Sequence, residues 1–264
     1  MTIHHLRNAT CVLECGDRHI LVDPMIGARG TLPPFAHIRF KALRNPLVDL
    51  PDNAAPLLQK VTHCLITHSQ KWGIRALRHS DHLDDAGTAF LRERRIPVAT
   101  LARDAAALKK EGLHIEKELE YGKVVPFCGG IIQAEPAQHG HGWIRHFMAN
   151  GAGYLVRFPD IPSLYLSGDT VFTPVVEQVL TEQRPDIVVM AAGTATLDVS
   201  TPILMTVDEM MRFVRTAPGL VIANHLEALN HCPTTRRRLK DALEKNGLVD
   251  RVWIPEDGEA RTFN

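Results

Sequence analysis

His79-Ser80-Asp81-His82-Leu83-Asp84 sets two imidazoles around one carboxylate and adds a second carboxylate two residues later. A packed core has no use for such a cluster, because each group must be desolvated and each wants a partner. A divalent metal supplies that partner, since histidine nitrogens and carboxylate oxygens are its usual ligands. Upstream, Val61–Thr67 (VTHCLIT) reads as a short β-rich run ending at His68, and downstream Asp85–Arg95 reads as a helix followed by the strand Ile96–Thr100. The cluster therefore falls on a loop between a strand end and a helix start, where open α/β sheets place their chemistry.

The same arrangement recurs along the chain. His139 and His141 follow the apolar run Gly130–Ala134 in PAQHGH, Asp169 ends the strand-like Ser163–Leu166 in YLSGDT, and His225 ends Leu220–Ala223 in VIANH. A lone histidine at a strand end is usually a capping or surface residue, and that reading serves for His4, His5, His19, His37, His63, His114 and His146. Four strands that each end in a ligand-type residue point instead to a metal site.

These motifs, with the opening hairpin ATCVLECGDRHILVDP and its aspartate Asp23, resemble the metallo-β-lactamase superfamily of metal-dependent hydrolases over nearly the whole chain. Within it, the branch of ascorbate-phosphate lactonases and N-acyl-phosphatidylethanolamine phospholipases is the most similar. The resemblance implies a four-layer αββα sandwich of two mixed sheets, with the metals at one edge between the sheets. It implies that His68, His79 and His139 bind one metal, that Asp81, His82 and His225 bind a second, and that Asp169 bridges them. Zn or Mn is the expected metal.

One departure stands out. The family motif H-x-H-x-D-H separates its first two histidines by one residue, whereas SQKWGIRALR separates His68 from His79. This insertion, Ser69–Arg78, either returns His79 to the metal or removes His68 from it. The first is expected, because LITH ends as the family's strand does. Trp72, Arg75 and Arg78 would then border the substrate mouth, with a hydrophobic plug as the other reading of Trp72.

The 264 residues suit one domain with a large core, with a long loop at about 27–60 that is rich in Pro and Arg. Lys plus Arg and Asp plus Glu are 30 each, a balance that gives no support for nucleic-acid binding. No apolar run reaches membrane-spanning length, and the N-terminus lacks the apolar core of a signal peptide. Five scattered cysteines suit reduced thiols in the cytoplasm; Cys232, seven residues past His225, is a candidate neighbour of the metals. A homo-oligomer is compatible with the sequence.

Strands that first pair as hairpins and later alternate with helices predict an α/β (α+β) fold of two mixed sheets face to face, with helices outside. Helices are expected at Arg103–Glu111, Val175–Gln183, Thr206–Arg215 (opened by the capping box Thr206-Val-Asp-Glu209) and Thr234–Lys245. Two metals could share a hydroxide for attack on a carbonyl or phosphoryl centre. Asp81 would orient that hydroxide, His141 would donate a proton or support His139, and Asp84 would hold a ligand histidine or charge a helix N-terminus. Arg39, Lys41, Arg44 and Arg145 are candidate anion clamps. The expected function is a dinuclear hydrolase of a small anionic ester, lactone or phosphodiester. A non-catalytic metal- or ligand-binding module, an oxygen-reducing or sulfur-oxidising enzyme, and an RNA-processing enzyme are the rivals.

Overall fold

The computed structural model describes residues 1–71, 79–148 and 150–264. Its first half opens with β1 (Thr2–Arg7), β2 (Thr10–Cys15) and β3 (Arg18–Val22), followed by α1 (Ala54–Lys60), β4 (His63–Ile66), α2 (Asp85–Glu93), β5 (Pro97–Leu101), α3 (Ala102–Lys110) and β6 (His114–Leu119). The second half runs β7 (Val124–Phe127), β8 (Gly130–Pro136), β9 (Ala152–Arg157), β10 (Leu164–Leu166), α4 (Pro174–Gln178), β11 (Ile187–Ala191), α5 (Val207–Thr216), β12 (Leu220–Asn224), α6 (Arg236–Lys245), β13 (Val252–Trp253) and β14 (Ala260–Thr262).

These strands form two sheets, ordered β14-β1-β2-β3-β4-β5-β6 and β13-β12-β11-β10-β9-β8-β7. Neighbours pair parallel along β3, β4, β5 and β6 in the first sheet and along β10, β11, β12 and β13 in the second, and the other pairs, β14 with β1 included, are antiparallel. Alternation along the strands sorts the side chains into layers. Ile20, Val22 and Leu65 meet Ile187, Val189 and Ile222 between the sheets. Leu21, Cys64 and Ile66 turn outward onto Leu57, Leu91 and Leu108 of α1, α2 and α3. Val188, Met190 and Val221 turn the other way onto Phe213, Val214 and Leu239 of α5 and α6. The αββα sandwich is therefore present.

Local chemistry sets the elements. Gly16, at φ +65°, and Asp17 close the two-residue turn between β2 and β3, where Cys15 pairs with Arg18. Both bonds of the expected capping box open α5, between the Thr206 hydroxyl and the Glu209 amide and between the Glu209 carboxylate and the Thr206 amide. The stretch expected as one helix at Val175–Gln183 is α4 continued by a π turn, Val179–Gln183. The segment expected as a loop at about 27–60 ends in α1, whose Leu57 faces the core. The first part of that segment is tied down by the buried Arg7, whose guanidinium donates to the carbonyls of Met25, Gly27 and Val48. No helix among the described residues is long and apolar enough to cross a membrane.

Candidate metal centre

The strand ends converge on one edge of the sandwich. His68 follows β4 and Asp23 follows β3, while His139, Asp169 and His225 follow β8, β10 and β12. The residues that flank the insertion meet: the His79 amide donates to the Ser69 carbonyl (3.1 Å), and His79 Nδ1 lies 3.1 Å from His68 Nε2. Lys71 anchors the outgoing chain through Thr88 and Glu111. Gly151 allows the approach to β9, since a Cβ there would lie 2.8 Å from that of His68.

Two groups of potential ligand atoms result, His68 with His79 and His139, and Asp81 with His82, Asp169 and His225, each within 4.8 Å. All seven residues are at most 7% exposed. Asp169 Oδ2 faces histidines of both groups, at 3.2 Å from His82 Nε2, 3.4 Å from His139 Nε2 and 3.5 Å from His225 Nε2. The Nε2 atoms of His79, His82 and His225 are nevertheless buried without a hydrogen-bond partner. Nitrogens crowded around carboxylates yet out of hydrogen-bonding geometry are what a cation between them would satisfy, so the donor set fits divalent metal.

An outer ring orients these side chains. Asp23 accepts from the Thr67 amide (2.8 Å) and hydroxyl (2.7 Å), and its Oδ2 lies 2.9 Å from His82 Nδ1. His139 Nδ1 is 2.8 Å from the Ile203 carbonyl, which leaves Nε2 as the lone-pair nitrogen. His225 Nδ1 lies 3.6 Å from Cys232 Sγ.

The electrostatics divide the histidines. Burial drives His68 well below its ordinary value, takes His79 to about 3 and lowers His139. Burial also opposes charge on His82 and His225, but Asp169, reinforced at His82 by Asp23 and Asp81, raises both well above the ordinary value. The carboxyls of Asp81 and Asp169 go down, because the facing imidazoles outweigh the burial that opposes their charge.

Several expected roles fall differently. Asp84 touches no ligand histidine; it caps α2 through the Gly87 amide and accepts from the Gly27 amide. Asp23 instead faces a ligand-type histidine, His82. His141 lies 3.0 Å from Glu209, is half exposed and is not among the residues that line the cavity described below. Arg145 lines a separate groove with Arg103 and Tyr121. Arg39 and Arg44 spend their guanidinium groups on the carbonyls of Ser200, Gly30 and Thr31. Trp72, Arg75 and Arg78 lie outside the described residues. His231 went unread in the sequence, although it stands six residues past His225 and beside Cys232.

The cluster opens into a cavity of about 390 Å³. It is lined by the polar His37, His79, Ser80, Asp81, His139, Asp169 and His231 and by the apolar Pro33, Pro34, Phe35, Met148, Leu197 and Ile203. No lysine or arginine among the described residues lines it.

A sandwich of two mixed sheets with a histidine–carboxylate cluster at one edge defines a class of proteins, the metallo-β-lactamase fold. The model of the β-lactamase superfamily domain matches residues 18–225, and the chain belongs to that superfamily. It is 29% identical over its full length to UPF0173 protein YddR of Bacillus subtilis, all of which it covers. It is 25% identical to a UPF0173 metal-dependent hydrolase of Cupriavidus taiwanensis, with 97% of this chain and 84% of that protein covered. Among solved structures, an isothiocyanate hydrolase from Delia radicum gut bacteria is 28% identical with a TM-score of 0.87, and a possible metal-dependent hydrolase from Veillonella parvula is 26% identical with a TM-score of 0.88. Each comparison covers 100% of this chain and 99% of the other.

Proposed function

We propose that the protein is a metal-dependent hydrolase of small, uncharged substrates that carry an electrophilic carbon on an apolar arm, with an organic isothiocyanate as the leading candidate. The observation that carries this reading is the mixed lining of the cavity, in which Pro33, Pro34, Phe35, Met148, Leu197 and Ile203 share one space with Asp81 and Asp169. A volume near 390 Å³ suits a molecule with one aromatic or alkyl arm. The anionic substrate expected from Arg39, Lys41, Arg44 and Arg145 finds no lysine or arginine among the described lining residues. The names of the relatives support a hydrolase, and one of them names an isothiocyanate as the substrate of that relative.

His68, His79 and His139 would hold one ion and Asp81, His82 and His225 a second, with Asp169 between them. When bound, such ions supply a Lewis acid and water acidified to a pKa of about 7. The protein's own part is positional. Asp81 orients the attacking water, Asp169 sets the spacing of the two groups, and the apolar lining residues hold the arm so that the reacting carbon meets them. The overall reaction, R–N=C=S + H2O → R–NH2 + COS, balances with water alone.

The test uses protein loaded separately with Zn and Mn and assayed on benzyl isothiocyanate, phenyl acetate, a lactone and bis(p-nitrophenyl) phosphate. Turnover of benzyl isothiocyanate above the phosphodiester, lost in Asp169→Asn together with metal content, is the expected result. Preference for the phosphodiester would overturn the substrate reading. Metal binding without turnover of any of the four would favour a non-catalytic module.

A further inference from the structure

His231 is a buried histidine on the wall of the cavity to which no role has been assigned. The turn that follows His225 holds it firmly. Its carbonyl accepts from the Thr196 amide (2.9 Å), and the amide of the next residue, Cys232, donates to the Leu229 carbonyl. The adjacent residues divide their tasks, since Cys232 reaches back to His225 while His231 lines the cavity. Phe35 packs edge-on against the imidazole, with ring centroids 5.2 Å apart and planes at 83°, and so fixes its plane. Phe35 is in turn held by its amide on the Asn230 side chain (2.9 Å), one residue before His231.

The ring itself is underused. It is 4% exposed, and its Nδ1 has no hydrogen-bond partner. Burial lowers its pKa to about 4, so at neutral pH it carries one donor and one acceptor nitrogen. A buried imidazole with an idle nitrogen is a poor choice for a wall that needs only shape, because an apolar side chain would fill it without the desolvation cost. Its place is justified if something that enters the cavity meets it.

We infer that His231 is a substrate-binding residue, whose imidazole forms a hydrogen bond to the heteroatom next to the reacting carbon while Phe35 keeps the ring in plane. As water adds to that carbon, a bonding pair moves onto the heteroatom, and a hydrogen bond there strengthens as the charge grows. This rests on the hydrolase reading above and adds to it a specificity for substrates whose heteroatom lies on the His231 side of the cavity.

Three variants test it. His231→Phe removes the nitrogens and keeps an aromatic ring, His231→Asn returns a polar group near the Nδ1 position, and Phe35→Leu frees the plane. With metal content by elemental analysis unchanged, His231→Phe should lower kcat/KM about 100-fold, the loss expected for one such hydrogen bond. His231→Asn should recover part of it, and Phe35→Leu should lose less than His231→Phe. A second measurement is independent of turnover: in metal-free protein labelled with 15N-histidine, titration with N-benzylthiourea, an unreactive N–C=S probe, should move the His231 ring resonances. Wild-type and His231→Phe proteins with equal kcat/KM would overturn the inference. If the wild type turns over nothing, the hydrolase reading fails by itself, and the thiourea titration then decides the role of His231: shifted resonances uphold it and unmoved ones refute it.

Discussion

Replacing Asp23 by Asn should weaken metal binding without unfolding the protein, and the geometry says by how much. Asp23 sits at φ +44°, a left-handed conformation that Asn tolerates as well as Asp, so the backbone should stay in place. Its Oδ1 takes the Thr67 amide, and its Oδ2 takes the Thr67 hydroxyl and faces His82 Nδ1. An Asn that keeps its oxygen on the Thr67 amide presents NH2 to His82 Nδ1. That nitrogen must then accept, which puts the proton of a neutral His82 on Nε2, the nitrogen that faces Asp169. The flipped amide rescues His82 but sets its NH2 against the Thr67 amide. Loss of such an outer partner typically costs 10–100-fold in metal affinity, about 1.4–2.8 kcal/mol. Competition with a chromophoric chelator, read beside elemental analysis, measures it. An Asp23→Asn protein with wild-type affinity and turnover would refute the claim that this carboxylate sets the tautomer of His82.

Other outcomes follow from the same structure. In metal-free protein the depressed histidines His68, His79, His139 and His231 cost stability as pH falls below 6.5, where the unfolded chain takes up protons that the folded one refuses. The raised His82 and His225 contribute stability that is full below 6.5 and is lost as pH climbs toward their folded values. Thermal unfolding after chelation should therefore peak near pH 6.5, and a steady rise through pH 8.5 would contradict this assignment. Thr206→Ala removes one arm of the capping box and should cost about 1 kcal/mol in denaturant titrations, with the metal content untouched. Gly87→Ala would drive a Cβ into the Pro24 carbonyl and should destabilise by about 1–3 kcal/mol, whereas wild-type stability would show that the start of α2 can move aside.

The legible parts of the sequence were those whose signal is local. The unbroken apolar run Ile187–Ala191, buried along its whole length, and the capping box at Thr206 are written in adjacent residues, and both elements stand where the pattern puts them. The strand-end ligands were legible because each side chain is unsuited to a core and each follows an apolar run. Less legible was whatever depends on a distant partner. The strand β6, HIEKEL, reads as polar because alternate residues face solvent at the end of its sheet. Helix α1 hid in a Pro-rich segment, since its register comes from Leu57 meeting the first sheet. The partner of His82 was hidden for the same reason: of the two roles read for Asp84 the structure shows the one at the helix N-terminus, and Asp23, for which no role was read, faces His82. Proximity in sequence favoured Asp84 as the partner of a ligand histidine, but the hairpin β2–β3 delivers Asp23 to His82 from 59 residues away. His231 drew no reading because nothing nearby in the chain announces the cavity it faces.

The division of the centre between the two sheets reaches beyond catalysis. His68 and His79 come from the first half of the chain and are completed by His139 from the second; Asp81 and His82 are completed by Asp169 and His225. Neither sheet holds a whole set, so tight capture of an ion belongs to the docked pair. A chain still emerging during synthesis offers only fragments of each set, and a chain whose sheets part would release any ion held between them. If these residues hold ions as proposed, ion occupancy would serve as a proofreader of folding, and a molecule competent to react would be one that has finished assembling its core.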